Sequence, residues 1–109
     1  MNNRDLQIRE KILSEIDVLK SLPNNMSLDS FCSDEKTSRA VCMTLINIGE
    51  LVKSITADLR EAHHEIPWLA NSGMRDVTAH KYQTLRMEDV YSTCTEDIPN
   101  SEVQLKELI

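Results

Sequence analysis

Two features of the sequence predict an all-α fold. The first is composition: 109 residues include two glycines, three prolines, one Phe and one Trp, against an abundance of Leu, Ile, Glu, Lys and Ser. That balance disfavours a sheet protein and suits a helical bundle. The second is periodicity, because apolar residues recur at steps of three and four along most of the chain, as they do on a helix with one face in a core. At this length there is room for one domain, residues 1–109, with a modest core.

The first helix is expected from about Arg4 to Leu22, with Leu6, Ile12, Leu13, Ile16, Leu19 and Leu22 at helical spacing, and Pro23-Asn24-Asn25 ends it. Ser27 is placed to cap a short helix or turn whose Leu28 and Phe31 close one end of the core. Ser33 or Asp34 caps a long second helix. The seam Val41, Leu45, Ile48, Val52, Ile55 and Leu59 alternates steps of four and three and carries that helix to about His63. Gly49 in its middle costs on the order of 1 kcal/mol relative to Ala, which close approach of a neighbouring helix offsets.

His63-His64 precede Glu65-Ile66-Pro67-Trp68, where Pro67 suits the first turn of a third major helix and Trp68 anchors its start. A histidine pair invites a metal site, but no second cluster of ligands stands at suitable spacing, so exposed histidines at a helix end are the better reading. The third helix fades near Tyr82 to Leu85. Another follows from about Met87 to Asp97 with Val90, Tyr91 and Cys94 facing in. Ile98-Pro99-Asn100 makes a kink or break, and a helix resumes from Ser101 to Ile109 through Val103, Leu105 and Leu108.

Charge and cysteine usage narrow the function. Eighteen acidic against twelve basic side chains give a formal charge of −6, which opposes non-specific attraction to nucleic acid, so any RNA contact is local. Cys32, Cys42 and Cys94 form no C-x-x-C pair, which argues against a zinc site or disulfide framework and for free buried thiols in a reducing cytosol. The N-terminus leads straight into a charged amphipathic helix, so neither a signal peptide nor a membrane span is expected and the protein is read as cytoplasmic. No cofactor and no metal are implied.

The stretch richest in chemistry runs from Gly73 to Tyr82. On a helix turning about 100° per residue, Met74, Val77 and Leu85 share one side, while Arg75, Asp76, Ala79 and His80 take the other. Tyr82 is nearly eclipsed with Arg75. Asp76 and His80 are four apart, close enough for the carboxylate to orient the imidazole. Arg is always charged and forks onto phosphate, His exchanges a proton near neutral pH, and Tyr offers a hydroxyl. Arg75, His80, Lys81 and Arg86 form the local basic patch. By spacing alone, an ordinary solvated face is the better reading of the pattern.

Four landmarks in order resemble a known family, the HEPN domains, and specifically the small HepT-like ribonuclease toxins of prokaryotic toxin–antitoxin pairs. These are Arg4-Asp5-Leu6 opening the first helix, Ile48-Gly49-Glu50 in mid-helix, Ile66-Pro67-Trp68 leading into Gly73-Met74-Arg75, and the run from Arg75 through His80 to Tyr82. The resemblance spans nearly the whole chain. It implies an up-and-down bundle of four to five helices that pairs as a homodimer, bringing two copies of Arg75 and His80 into one cleft. It further implies metal-independent cleavage of RNA by attack of a ribose 2′-hydroxyl, with His80 moving a proton and Arg75 stabilising charge on phosphate. Asp76 and Lys81 would support them. The same resemblance implies a nucleotidyltransferase antitoxin as partner, which transfers AMP onto Tyr82. One departure is Asp76, where many relatives have Asn: its carboxylate either orients His80 or partly neutralises Arg75. The acidic charge and Asp76 keep an alternative open, a catalytically silent helical module that docks on a nucleotidyltransferase and assists nucleotide or substrate binding.

Overall fold

The computed structural model of the chain describes residues 2–63 and 86–107. Among them are helices α1 (Asn3–Ser21), α2 (Leu28–Ser33), α3 (Glu35–Lys53), α4 (Ala57–Ala62), α5 (Met87–Ser92) and α6 (Ile98–Lys106), with a π-helical turn, Thr93–Asp97, joining the last two. No strand occurs among the described residues. The fold is the all-α bundle that composition and periodicity predict.

Side-chain caps start the first four helices. The Asn2 Oδ1 accepts from the Asp5 N–H at 2.7 Å, the Ser27 Oγ from Ser30 N–H at 3.1 Å, the Asp34 Oδ1 from Thr37 N–H at 3.0 Å, and the Thr56 Oγ1 from Leu59 N–H at 3.3 Å. Each satisfies one amide that the first turn of a helix leaves without a partner. After α1 the chain reverses through Asn25 at φ 61°, a left-handed conformation that Asn tolerates better than most residues.

Direction follows from contacts distant in sequence. Asp5, in the first turn of α1, bonds Thr56, just beyond α3, so α1 and α3 run antiparallel. Leu19, near the end of α1, accepts from the Cys94 thiol at 3.5 Å, while Arg9, near its start, donates to Leu105 O at 2.8 Å and Lys106 O at 3.0 Å. The C-terminal rod is therefore antiparallel to α1 as well. Arg9 also supplies cationic donors to the last carbonyls of α6 and pairs with Glu10.

The core runs through Ile8, Ile12, Ile16 and Leu19 of α1, Phe31 of α2, Val41, Leu45, Ile48 and Val52 of α3, then Ile55, Val90, Cys94, Ile98 and Leu105. Burial of each large aliphatic side chain contributes about 1.5–3 kcal/mol. Gly49 is buried within α3. Phe31 closes one end against Tyr91, with ring centroids 5.3 Å apart at 54°, and the Tyr91 hydroxyl donates to Met26 O at 2.7 Å.

Several expectations need correction. Leu6 and Leu28 are exposed, at 39% and 40%. In α1 the inward face is Asp5, Ile8, Ile12, Ile16 and Leu19, and Leu6 lies about a quarter turn away from Asp5. Phe31 alone fills the place expected of Leu28 and Phe31 together. Val103 is also outward, because it stands roughly 200° from Leu105 on a helix and the buried set of α6 is Ile98, Ser101, Glu102 and Leu105. Cys32 is exposed, not buried, while Cys42 and Cys94 are free and buried as expected.

The two largest corrections concern helix ends. Between Ser33 and Asp34, the cap of α3 is Asp34, but α3 stops at Lys53 instead of running to His63. At the other end of the chain Pro99 does not break the rod. Instead, the preceding turn widens, with the Ile98 N–H donating to Thr93 O, five residues back. Proline lacks an N–H and its ring crowds the carbonyl four residues before it; a single π turn shifts those carbonyls aside while keeping the helix continuous. Thr93 and Thr95 hydroxyls donate to Asp89 O and Tyr91 O, a back-bonding that also eases bending.

Candidate functional site

Arg75, Asp76, His80, Lys81 and Tyr82 lie outside the described residues, as do His64, Pro67, Trp68 and Gly73. What the structure describes is the frame on either side of residues 64–85. On the upstream side stands the junction of α3 and α4; on the downstream side stands Arg86, first residue of the lead into α5.

The upstream junction is built around a buried carboxylate. Asp5 is 1% exposed. Its Oδ2 accepts from the Thr56 hydroxyl at 2.7 Å and its Oδ1 from the Thr56 N–H at 3.2 Å. Thr56 Oγ1 in turn caps α4 through Leu59 N–H, and α4 ends where the His63 N–H donates to Leu59 O at 3.1 Å. His63 is half-buried at that end, whereas an exposed histidine was expected there. The helix cannot continue past Lys53 because Ser54, Ile55 and Thr56 leave the helical path to bring Thr56 onto Asp5, and Ile55 still reaches the core at 2% exposure. The apolar seam therefore persists across a break in the backbone.

Downstream, Arg86 is exposed and its Nε lies 3.6 Å from Glu88 Oε2, a separation at which an exposed pair is worth little. Its guanidinium remains available to an anion. Acidic Glu88 and Asp89 occupy the first turn of α5, where they suit the helix dipole.

Nucleophilic chemistry elsewhere in the described residues is disfavoured. Burial pushes the thiols of Cys42 and Cys94 up to about 11, so each is a neutral packing group near pH 7. The Cys32 thiol is raised too, by desolvation first and then by Glu88 and Asp29. Among the described residues there is no group of three His, Cys, Asp or Glu side chains able to hold a metal ion, and no helix long and apolar enough to cross a membrane.

Comparison with known proteins completes the picture. A family model described as ribonuclease HepT-like matches residues 12–108, a span that contains every candidate site residue from Arg75 to Tyr82. The chain belongs to the HepT-like ribonuclease family. It is 34% identical over 100 residues to "Putative RNase TTE0752" of Caldanaerobacter subterraneus subsp. tengcongensis, covering 92% of this chain and 89% of that one. It is 32% identical over 99 residues to "Probable ribonuclease HepT" of Thermococcus cleftensis, covering 91% and 90%. No solved structure matches the chain significantly.

Two residues of the junction between α3 and α4 were not legible as such. Asp5 is visible in the sequence as part of the opening Arg4-Asp5-Leu6, but nothing local marks it as buried. Thr56 carried a weak signal, since Thr followed by Asp58 in the next turn is an N-cap signature, and the unbroken apolar seam from Val41 to Leu59 outweighed it.

Proposed function

We propose that this protein is an endoribonuclease that needs no metal ion and serves as the toxin of a toxin–antitoxin pair. The observation that carries the reading is the HepT-like match over residues 12–108, within which Arg75 and His80 stand at the spacing of the family motif. In the reaction, His80 takes the proton of a ribose 2′-hydroxyl as that oxygen attacks the adjacent phosphorus. The bond from phosphorus to the 5′-oxygen breaks, the leaving oxygen gains a proton, and the products are a 2′,3′-cyclic phosphate and a 5′-hydroxyl end. Arg75 stabilises the negative charge that gathers on the phosphoryl oxygens. Lys81 and Arg86 add local positive charge on a chain of net −6, and the 2′-hydroxyl requirement confines cleavage to RNA.

A homodimer doubles the Arg75 and His80 set around one twofold axis. The partner is a nucleotidyltransferase antitoxin that attaches AMP to Tyr82, placing a negative phosphate seven residues from Arg75 in sequence, where it repels RNA. The buried free thiols of Cys42 and Cys94 suit a reducing cytoplasm. Asp76 favours one other reading, a module that binds the nucleotidyltransferase without cleaving RNA, since a carboxylate beside Arg75 competes with phosphate for the guanidinium.

Growth inhibition and RNA cleavage by Arg75→Ala and His80→Ala test the enzyme reading. Both activities are lost in both variants while helicity and dimer mass are retained; full cleavage by His80→Ala removes its assigned role. Incubation with the antitoxin and labelled ATP tests the modification: label enters wild type but not Tyr82→Phe.

A further inference from the structure

Helix α3 turns Val41, Leu45, Ile48 and Val52 to the core. Met43 stands roughly 200° from Leu45 on the helix and is 58% exposed. Single exposed apolar side chains are common on protein surfaces; what distinguishes Met43 is the charge arranged about it. Lys36 lies seven residues before it and Glu50 seven after, and both are exposed. Seven residues are close to two helical turns, so all three share one outward stripe, with exposed Asn47 between Met43 and Glu50. The stripe carries a cation at one end, an anion at the other and an apolar side chain midway.

Reversed, such a stripe is complementary to itself. When a second α3 lies antiparallel across it on a twofold axis through Met43, each Lys36 comes opposite the other copy's Glu50 and the two Met43 side chains meet. In the same register Glu35 falls within about 3 Å, along the axis, of the level of the other copy's Lys53. A parallel pairing would set Lys36 against Lys36 and Glu50 against Glu50, and is disfavoured. Within one copy Glu50 accepts from Lys53 at 3.2 Å and Glu35 from Arg39 at 2.6 Å. These are exposed pairs of small worth, so both carboxylates can turn to a second copy at little cost. The flexible, polarizable Met side chain suits the centre of such a contact. We propose that the outward face of α3, centred on Met43, is the surface on which two copies of this chain pair antiparallel. This names the face of the homodimer in the proposed function and rests on that homodimer.

The test uses the full-length chain, with mass from sedimentation over a range of concentrations and helicity from circular dichroism. Wild type is a dimer. Lys36→Glu and Glu50→Lys each set like charges opposite one another twice and weaken self-association about tenfold or more. Joined in one chain, the two reversals restore the dimer, and the two single variants mixed in equal amounts form a heterodimer. Met43→Glu, which places two carboxylates at the axis, also dissociates. Single variants that dimerise as wild type does overturn the proposal and leave the homodimer to another face. So do single variants that dissociate with no recovery in the double variant or the mixture. Variants that keep dimer mass but lose their hold on the antitoxin give the face to the antitoxin instead. A wild type that is monomeric at every concentration overturns the face and the homodimer together, and the ribonuclease reading is then judged by cleavage alone.

Discussion

Among the described residues, two long helical stretches are interrupted in opposite ways. In the stretch from Glu35 to Ala62, no proline or glycine marks the end and the apolar seam continues through Ile55 and Leu59, yet the helix stops at Lys53. From Met87 to Lys106, Pro99 stands in mid-course, yet the rod continues with one widened turn. The first break is imposed from 51 residues away by Asp5 taking both donors of Thr56. A local breaker, by contrast, is absorbed because Val90, Cys94, Ile98 and Leu105 all remain on the buried side. Tertiary contacts, not local propensity, decide where these helices end.

Both interruptions rest on one core, so the largest effect comes from truncating it. Leu45→Ala, at a fully buried position of α3, is expected to cost about 2–5 kcal/mol in urea unfolding. A cost under about 1 kcal/mol would mean that the α3 seam is not shared by the two stretches.

Asp5→Ala strikes the first interruption alone. It leaves the Thr56 N–H and hydroxyl without their acceptor, and loss of hydrogen bonds to a charged group costs about 1.5–3 kcal/mol each. The loss of stability is expected to exceed that of Thr56→Ala, which removes a cap worth roughly 1 kcal/mol together with one hydrogen bond. Equal losses would point to the cap, not the clamp, as the cause of the break.

The C-terminal rod is held to α1 by ionic contacts, and pH separates these from the Asp5 clamp. The Lys20 hydrogen bond holds the Glu102 carboxyl below its ordinary 4.5, and Glu102 in turn raises Lys20 above 10.5. Because Glu102 is depressed on folding, its stabilisation is complete above 4.5 and drains away as pH falls through its folded value. Because Lys20 is raised, its share persists through 10.5 and is lost only at higher pH. Urea midpoints of wild type and Glu102→Gln are therefore expected to converge on acidification below 4.5. Parallel midpoints down to the acid transition would deny Glu102 that role.

The smallest effect is expected at the proline. Pro99→Ala restores an N–H and relieves the crowding at Thr95, while making the unfolded chain more flexible, and these act in opposite directions by about 0.4–1 kcal/mol. Stability then stays within about 1 kcal/mol, and amide shifts confined to residues 93–98 report the π turn relaxing to α. A large, global change would show that Pro99 shapes more than its own turn.

Much of the fold was legible because helical burial has a simple period. Ile12, Ile16 and Leu19, the run from Val41 to Val52, Val90 with Cys94, and the Ser27 and Asp34 caps all follow from spacing and side-chain chemistry. Leu6, Leu28 and Val103 misled because apolar residues adjacent to a stripe read like members of it, and only the packed neighbours choose between them. The Asp5–Thr56 clamp could not be read locally, since no period links a residue in the first turn of α1 to one beyond α3. For the candidate site, spacing alone left Arg75, Asp76, His80, Lys81 and Tyr82 readable as a solvated face, and only the resemblance to a family singled them out. The family match over residues 12–108 spans those five positions, which lie outside the described residues.

The proposed function has this HepT-like chain cutting RNA with its own side chains. RNA cleavage by purified, unmodified protein in EDTA, wild type beside His80→Ala, with the product ends identified, tests it most directly. Fragments ending in 2′,3′-cyclic phosphate and 5′-hydroxyl from wild type, and none from His80→Ala, are the predicted result. Intact RNA from a folded wild-type protein, or equal cleavage by both, would contradict it.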